Sequence, residues 1–148
     1  MTCKVIYKQF IFLISLLILS GRIILGQPDV KNIPVDDLRE KVHLFTDRDV
    51  YCAGESLFFQ AHNLSNQQLK SVNWSTVLYL ELITPDGKSV LQHKFRYDTT
   101  GASGTIIIPD DILTGNYYLR AYTKWMRNFS PYQYFYKIIK IINPYHAG

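Results

Sequence analysis

Cysteine is scarce in this chain of 148 residues: only Cys3 and Cys52 occur, which excludes a disulfide-stapled scaffold. Charge is sparse too, at 19% of positions against 14% aromatic and 47% hydrophobic, a balance that excludes intrinsic disorder. Basic runs are missing. The formal charge of +4 points toward an anionic polymer, yet Lys4, Lys8 and Arg22 all lie in the first 26 residues, where there is no acid. Without those three, thirteen basic residues face twelve acidic ones, a remainder of +1. A nucleic-acid surface needs clustered Lys and Arg to displace counterions, so that class is excluded. There is no glycine-rich phosphate loop ahead of a helix. No segment sets a nucleophile beside a base and an orienting third group. The chain therefore reads as non-enzymatic and without a cofactor. His43, His62, His93 and His146 are scattered without metal-ligand spacing, and no metal site is assigned. What the length does allow is about one domain with a core that folds unaided.

Only one long apolar run is present. Phe10 to Leu19 is broken only by Ser15, follows Lys4 and Lys8, and precedes the small residues Ser20 and Gly21. This is the build of a secretory signal over residues 1–26. The run falls short of the roughly 20 residues that span a bilayer, and Arg22 blocks its extension. Cleavage after Gly26 leaves no stable membrane span and exports the chain to the periplasm, the outer surface or the medium. Ile24 is atypical for that cleavage site, so an uncleaved anchor is the alternative. In an oxidising compartment Cys52 is most simply a buried small hydrophobe, with an intermolecular disulfide as the other reading.

Residues 27–39, with Pro28 and Pro34, read as an extended lead-in or linker. From residue 40 to 144 short apolar runs alternate with turn chemistry, the pattern of an all-β sandwich. Seven strands are expected, in an antiparallel sandwich of immunoglobulin or fibronectin type III type. They run over Val42–Phe45, Leu57–His62, Val77–Ile83, Val90–Tyr97, Gly101–Ile108, Tyr117–Thr123 and Phe135–Ile142, with a short extra piece at Val50–Cys52. Leu78, Leu80 and Leu82 share a face opposite Tyr79 and Glu81. Tyr117, Leu119 and Ala121 point inward, and Tyr118, Arg120 and Tyr122 outward. Pro85-Asp86-Gly87 is a hairpin turn. Residues 145–148 form a C-terminal tail.

Tyr117, at the start of the penultimate strand after Leu113-Thr114-Gly115-Asn116, occupies the place of a tyrosine corner, where the phenol bonds back to the loop backbone. Asp47 and Asp49 fit the turn after the first strand, where carboxylates accept backbone N–H groups. With Asp110 and Asp111 they could line a calcium site, but turn capping is the better reading. Asn63, Asn73 and Asn128 begin glycosylation triplets, taken as chance.

Three stretches carry a resemblance. Thr46-Asp47-Arg48-Asp49-Val50-Tyr51-Cys52-Ala53-Gly54-Glu55, followed by Leu57-Phe58-Phe59, resembles the opening of the second macroglobulin domain of the alpha-2-macroglobulin family. Ala53 before the glycine is similar to secreted bacterial members rather than animal ones. Leu78-Tyr79-Leu80-Glu81-Leu82 with Pro85-Asp86-Gly87 resembles the same group, as does Gly115-Asn116-Tyr117-Tyr118-Leu119-Arg120-Ala121-Tyr122-Thr123 leading into Trp125-Met126-Arg127-Asn128-Phe129. The resemblance covers about residues 40–144. It implies a macroglobulin-type β-sandwich and structural roles for Asp47, Tyr51, Gly54, Gly87, Gly115 and Tyr117. A protease-trapping member uses a cleavable bait segment and often a Cys-Gly-Glu-Gln thioester, and neither is read in this sequence. Cys52-Ala53-Gly54-Glu55 is not that motif.

The leading expectation is thus a secreted, non-catalytic binding and assembly module related to endopeptidase inhibitors. Its partner would be a protein or the following domains of a longer chain. The alternative is a surface adhesion or glycan-binding sandwich beside an outer-membrane receptor. The candidate partner-binding residues are Tyr118, Tyr122, Trp125, Met126 and Phe129, since aromatics and Met are enriched where proteins dock. If the loop holding the last three folds back on its own sandwich instead, they are core residues.

Overall fold

The computed structural model describes residues 34–65 and 73–145; the signal segment, most of the lead-in and the end of the tail lie outside them. Eight strands form among the described residues: β1 Val42–Thr46, β2 Val50–Cys52, β3 Ser56–Asn63, β4 Val77–Ile83, β5 Ser89–Arg96, β6 Gly101–Ile107, β7 Gly115–Thr123 and β8 Phe135–Ile142. One sheet has the order β1-β3-β6 and the other β2-β8-β7-β4-β5. The expected sandwich is observed, with one strand more than the seven read from the sequence.

The extra strand is the short piece at Val50–Cys52. After β1 the chain bends at Asp47 to Asp49 and crosses to the second sheet, where β2 lies parallel to β8 with Val50 opposite Lys140 and Cys52 opposite Ile142. The Lys140 N–H donates to the Asp49 carbonyl at 2.8 Å and the Ala53 N–H to the Ile142 carbonyl at 3.0 Å. All other pairs are antiparallel. Strand alternation puts Tyr51 inward and Cys52 outward, so Cys52 is exposed rather than buried. The reading of Cys52 as a core hydrophobe is corrected accordingly.

The inner faces follow the two-residue period. Leu78, Leu80 and Leu82 of β4 lie opposite Thr123, Ala121 and Leu119 of β7 in register, and all six are buried. From the other sheet come Leu44, Leu57, Ala61 and Ile106, and β8 adds Ile139 and Ile141. Each of these leucines and isoleucines contributes about 1.5–3 kcal/mol on burial. Phe59 of β3 meets Phe95 of β5 edge-to-face across the sandwich, with ring centroids 4.6 Å apart.

Among the described residues there are three short 3-10 turns: Val35–Leu38, Trp125–Asn128 and Pro131–Gln133. The first ends the segment read as an extended lead-in, so its last residues are turned rather than extended. Among the described residues no helix is long and apolar enough to cross a membrane.

Candidate functional site

The outer face of the five-stranded sheet carries the most chemistry. β4 turns Tyr79 and Glu81 outward. Register then sets Glu81 between Gln92 of β5 and Arg120 of β7, and Tyr79 between Lys94 and Tyr122. Glu81 is only 4% exposed, and its carboxylate is fully engaged. Oε1 accepts from the Tyr122 hydroxyl at 2.7 Å and from Gln92 Nε2. Oε2 accepts from Arg120 Nε at 2.7 Å and from Nη2. A buried carboxylate is tolerable only with such a complete set of donors.

Over this network stand three tyrosines in a column. Tyr79 stacks on Tyr122 with centroids 5.2 Å apart, and Tyr122 on Tyr134 at 4.6 Å. Tyr134 arrives from the loop after β7, where Ser130 caps the turn Pro131–Gln133 and proline presets its first position. The column explains why Tyr122, on the face expected to be open, is 8% exposed. Burial, reinforced by the Glu81 carboxylate, pushes the Tyr122 phenol up to about 12. A cleft of about 480 Å³ opens beside the column, walled by Lys94, Arg120, Arg127 and Tyr134.

The sign of the pH effect follows. A phenol whose pKa is raised by folding stabilises the protein fully below its unfolded value near 10, and that contribution drains away as pH rises through about 12. Tyr51 behaves alike: burial first, then its bond to Asp47, also pushes it up to about 12. Ultraviolet titration is expected to show at least two tyrosines ionising only as the protein unfolds in alkali. If every tyrosine titrated near 10 in the folded protein, these phenols would not be held as described.

The loop from Lys124 to Phe129 divides between core and surface. Met126 is 1% exposed, and its N–H donates to the Thr123 hydroxyl at 3.2 Å. Thr123 in turn donates to Glu40, a buried carboxylate that also accepts from the Ser75 N–H. Trp125 is 40% exposed. Its indole N–H donates to the Leu38 carbonyl at 2.7 Å and its backbone N–H to the Ser75 hydroxyl at 3.2 Å. Phe129 is half-buried, between the edge of Trp125 and the Arg39 guanidinium. Trp125, Trp74, Asn73, Asn128, Lys124 and Tyr79 line a second cleft of about 520 Å³.

Of the five candidates, Met126 and Tyr122 are therefore interior, which corrects their reading as surface residues. Tyr118 is half-buried beside Ile138, at the opposite end of the sheet face from the loop. Trp125 and Phe129 remain accessible, next to Trp74 and the tyrosine column, which the sequence reading left out of the site. Met126→Ala is expected to cost about 2–3 kcal/mol by opening a cavity. Urea denaturation of the variant measures the loss, and an unchanged midpoint would mean that Met126 is not part of the core.

The residues expected to serve structure sit as follows. Asp47 accepts from the Tyr51 hydroxyl at 2.7 Å and the Phe58 N–H at 3.1 Å. Burial alone would raise its carboxyl, but those bonds and Arg48 outweigh it and hold the group below the ordinary range. Asp49 pairs with Lys137 at 2.7 Å. Gly54 has φ +81° and Gly87 φ +88°, the left-handed region that favours glycine. Gly115 has no such constraint: a Cβ there would meet only the Tyr117 ring, at 3.7 Å. The Tyr117 hydroxyl donates to the Leu113 carbonyl at 2.8 Å, the geometry of a tyrosine corner. His43 and His62 are half-buried and His93 is exposed; among the described residues no three His, Cys, Asp or Glu side chains are grouped as metal ligands.

The fold has known counterparts. Salmonella alpha-2-macroglobulin reacted with methylamine superposes with a TM-score of 0.52 at 17% identity, over 69% of this chain and 6% of that one. Trypsin-activated alpha-2-macroglobulin from Escherichia coli gives 0.52 at 19% identity, over 69% and 6%. The Escherichia coli protein activated by porcine elastase gives 0.53 at 18% identity, over 70% and 8%. At such identities the likeness concerns the fold alone, and this chain spans less than a tenth of each of those three chains. Among curated proteins no relative matches. The sequence model of the MG2 domain does match, over residues 41–135, a stretch that runs from the edge of β1 into the start of β8 and takes in both clefts; the chain belongs to the MG2 domain family of macroglobulin-type modules.

Proposed function

We propose that this chain is an exported, non-catalytic macroglobulin-type module, related to endopeptidase inhibitors, that docks a protein partner or a neighbouring domain of a longer chain. The observation that carries this reading is Trp125, 40% exposed while its indole N–H is fixed on the Leu38 carbonyl. A rigid, half-open aromatic loses little entropy on contact, which is what binding hot spots require. Support for a non-catalytic role comes from the titratable groups nearby. The Glu81 carboxylate is saturated with donors, and the Tyr122 phenol keeps its proton to about pH 12, so that phenol is not poised to move a proton near neutrality. The basic start and short apolar run of residues 1–26 support export.

The test is a photo-cross-linking amino acid placed at position 125 of the exported protein, with position 132, which is 96% exposed, as control. A polypeptide adduct formed at 125 and not at 132 is the expected result. A surface adhesion or glycan-binding module is the second reading, favoured by the cleft that sets Trp74 and Trp125 beside the amides of Asn73 and Asn128. An adduct to polysaccharide alone would replace the first reading by the second. N-terminal sequencing of the same material is expected to begin near Gln27, and an intact Met1 in the membrane fraction would instead mean an anchor.

A further inference from the structure

We infer that the cleft between β5 and the loop after β7 receives the carboxylate side chains of an acidic peptide segment; this rests on the docking reading above and specifies the chemistry of the partner. Three cations wall the cleft: Lys94, Arg120 and Arg127. Arg120 is neutralised by Glu81, whose carboxylate has no capacity left for the others. Lys94 has no acidic partner among the described residues; its ammonium rests over the Tyr79 ring, 5.6 Å from the centroid. Arg127 likewise has no acidic partner among the described residues. Both side chains are exposed. Two unneutralised cations facing one concavity repel each other until an anion enters, so the cleft is electrostatically complementary to a segment bearing more than one negative charge.

Geometry selects a peptide over an acidic sugar. A pyranose binds by lying on an open aromatic face. Both faces of Tyr122 are covered, by Tyr79 and Tyr134, and Tyr79 lies between Tyr122 and the Lys94 ammonium, which leaves a sugar at most one ring of the column, Tyr134. Aspartate and glutamate side chains need only the cations and a narrow polar floor, where the Gln92 side chain also stands.

A fluorescein-labelled decapeptide of alternating Asp and Gly, titrated by anisotropy into the full chain at low salt, tests this. Binding is expected, and Lys94→Glu with Arg127→Glu should weaken it roughly tenfold or more. The control, Lys88→Glu with Lys140→Glu, changes the net charge equally on exposed lysines outside the cleft and should leave most of the affinity. Circular dichroism melts check that both pairs of variants fold. Equal weakening by the two pairs would reduce the effect to net charge and overturn the inference, as would failure of the peptide to bind. Equipotent competition by inorganic phosphate would mean a simple anion site, and tighter binding of an oligogalacturonate would mean an acidic glycan; either overturns the peptide assignment. The cross-link from position 125 does not depend on these cations. If it persists while the peptide fails, docking stands and only the chemistry assigned to the partner falls.

Discussion

Gly101→Ala is expected to remove about 4 kcal/mol of stability, of which roughly 1–3 kcal/mol is backbone strain and the rest broken ladder hydrogen bonds at about 1 kcal/mol each. Gly101 opens β6 with φ +132°, and it is buried opposite His62 of β3. A Cβ there would overlap the Ala61 carbonyl oxygen and come within 2.9 Å of its carbon. Backbone cannot rotate away as a side chain can, so β6 must separate from β3 at its first rungs. The preceding turn holds the residue in place. Asp98 Oδ1 accepts from the Thr100 N–H at 2.8 Å and the Gly101 N–H at 3.1 Å, and the Thr100 hydroxyl foremost keeps that carboxyl below its ordinary range. Gly87→Ala is the comparison: its φ is +88° with nothing within 4 Å of a new Cβ, so about 1 kcal/mol is expected. Urea denaturation of the two variants measures both. Similar losses would mean that β3 and β6 yield to a methyl group, and that the close approach does not matter.

Arg120→Met is expected to cost about 3–5 kcal/mol, because it leaves the Glu81 carboxylate buried without its cation. The side chain of Glu81 is only 5% exposed and that of Arg120 24%, so water reaches the arginine more readily than the acid. Removing the acid alone, Glu81→Leu, should therefore cost less than removing the base. The double variant should be less destabilised than Arg120→Met, since no uncompensated charge remains, although the Tyr122 and Gln92 donors lose their acceptor. A double-mutant cycle with a coupling of about 1 kcal/mol or more is the expected readout. Strict additivity would show that the two residues do not depend on one another.

Much of this was legible in the alternation of side chains. Leu78, Leu80 and Leu82 are buried as read, with Tyr79 and Glu81 on the opposite face, and Tyr117, Leu119 and Ala121 point inward. The Tyr117 corner was legible for a related reason, since it joins groups four residues apart; the backbone N–H that Asp47 accepts is that of Phe58, eleven residues on, and Asp49 pairs with Lys137 rather than capping the turn. The candidate site was legible only in part. Trp125 and Phe129 were named from residue type and their place in the loop after the penultimate strand, and both keep some exposure.

The sequence by itself determined which residues of a strand share a face, where the turns fall and that the strands make a sandwich, because these depend on a two-residue period and on backbone preferences that act locally. The tertiary structure alone decided what covers each face. Tyr122 is outward by period and buried because Tyr134 folds over it. Met126 has no period to follow and is buried because Thr123 and Glu40 pull its turn inward. Cys52 is exposed because β2 leaves its own hairpin neighbourhood to pair with β8 at the other end of the chain. Glu81 meets Arg120 across 39 residues of sequence, by a register that no local pattern encodes. Long-range pairing is fixed by the packing of whole sheets, and it was that packing which brought two scattered cations and three tyrosines around one cleft.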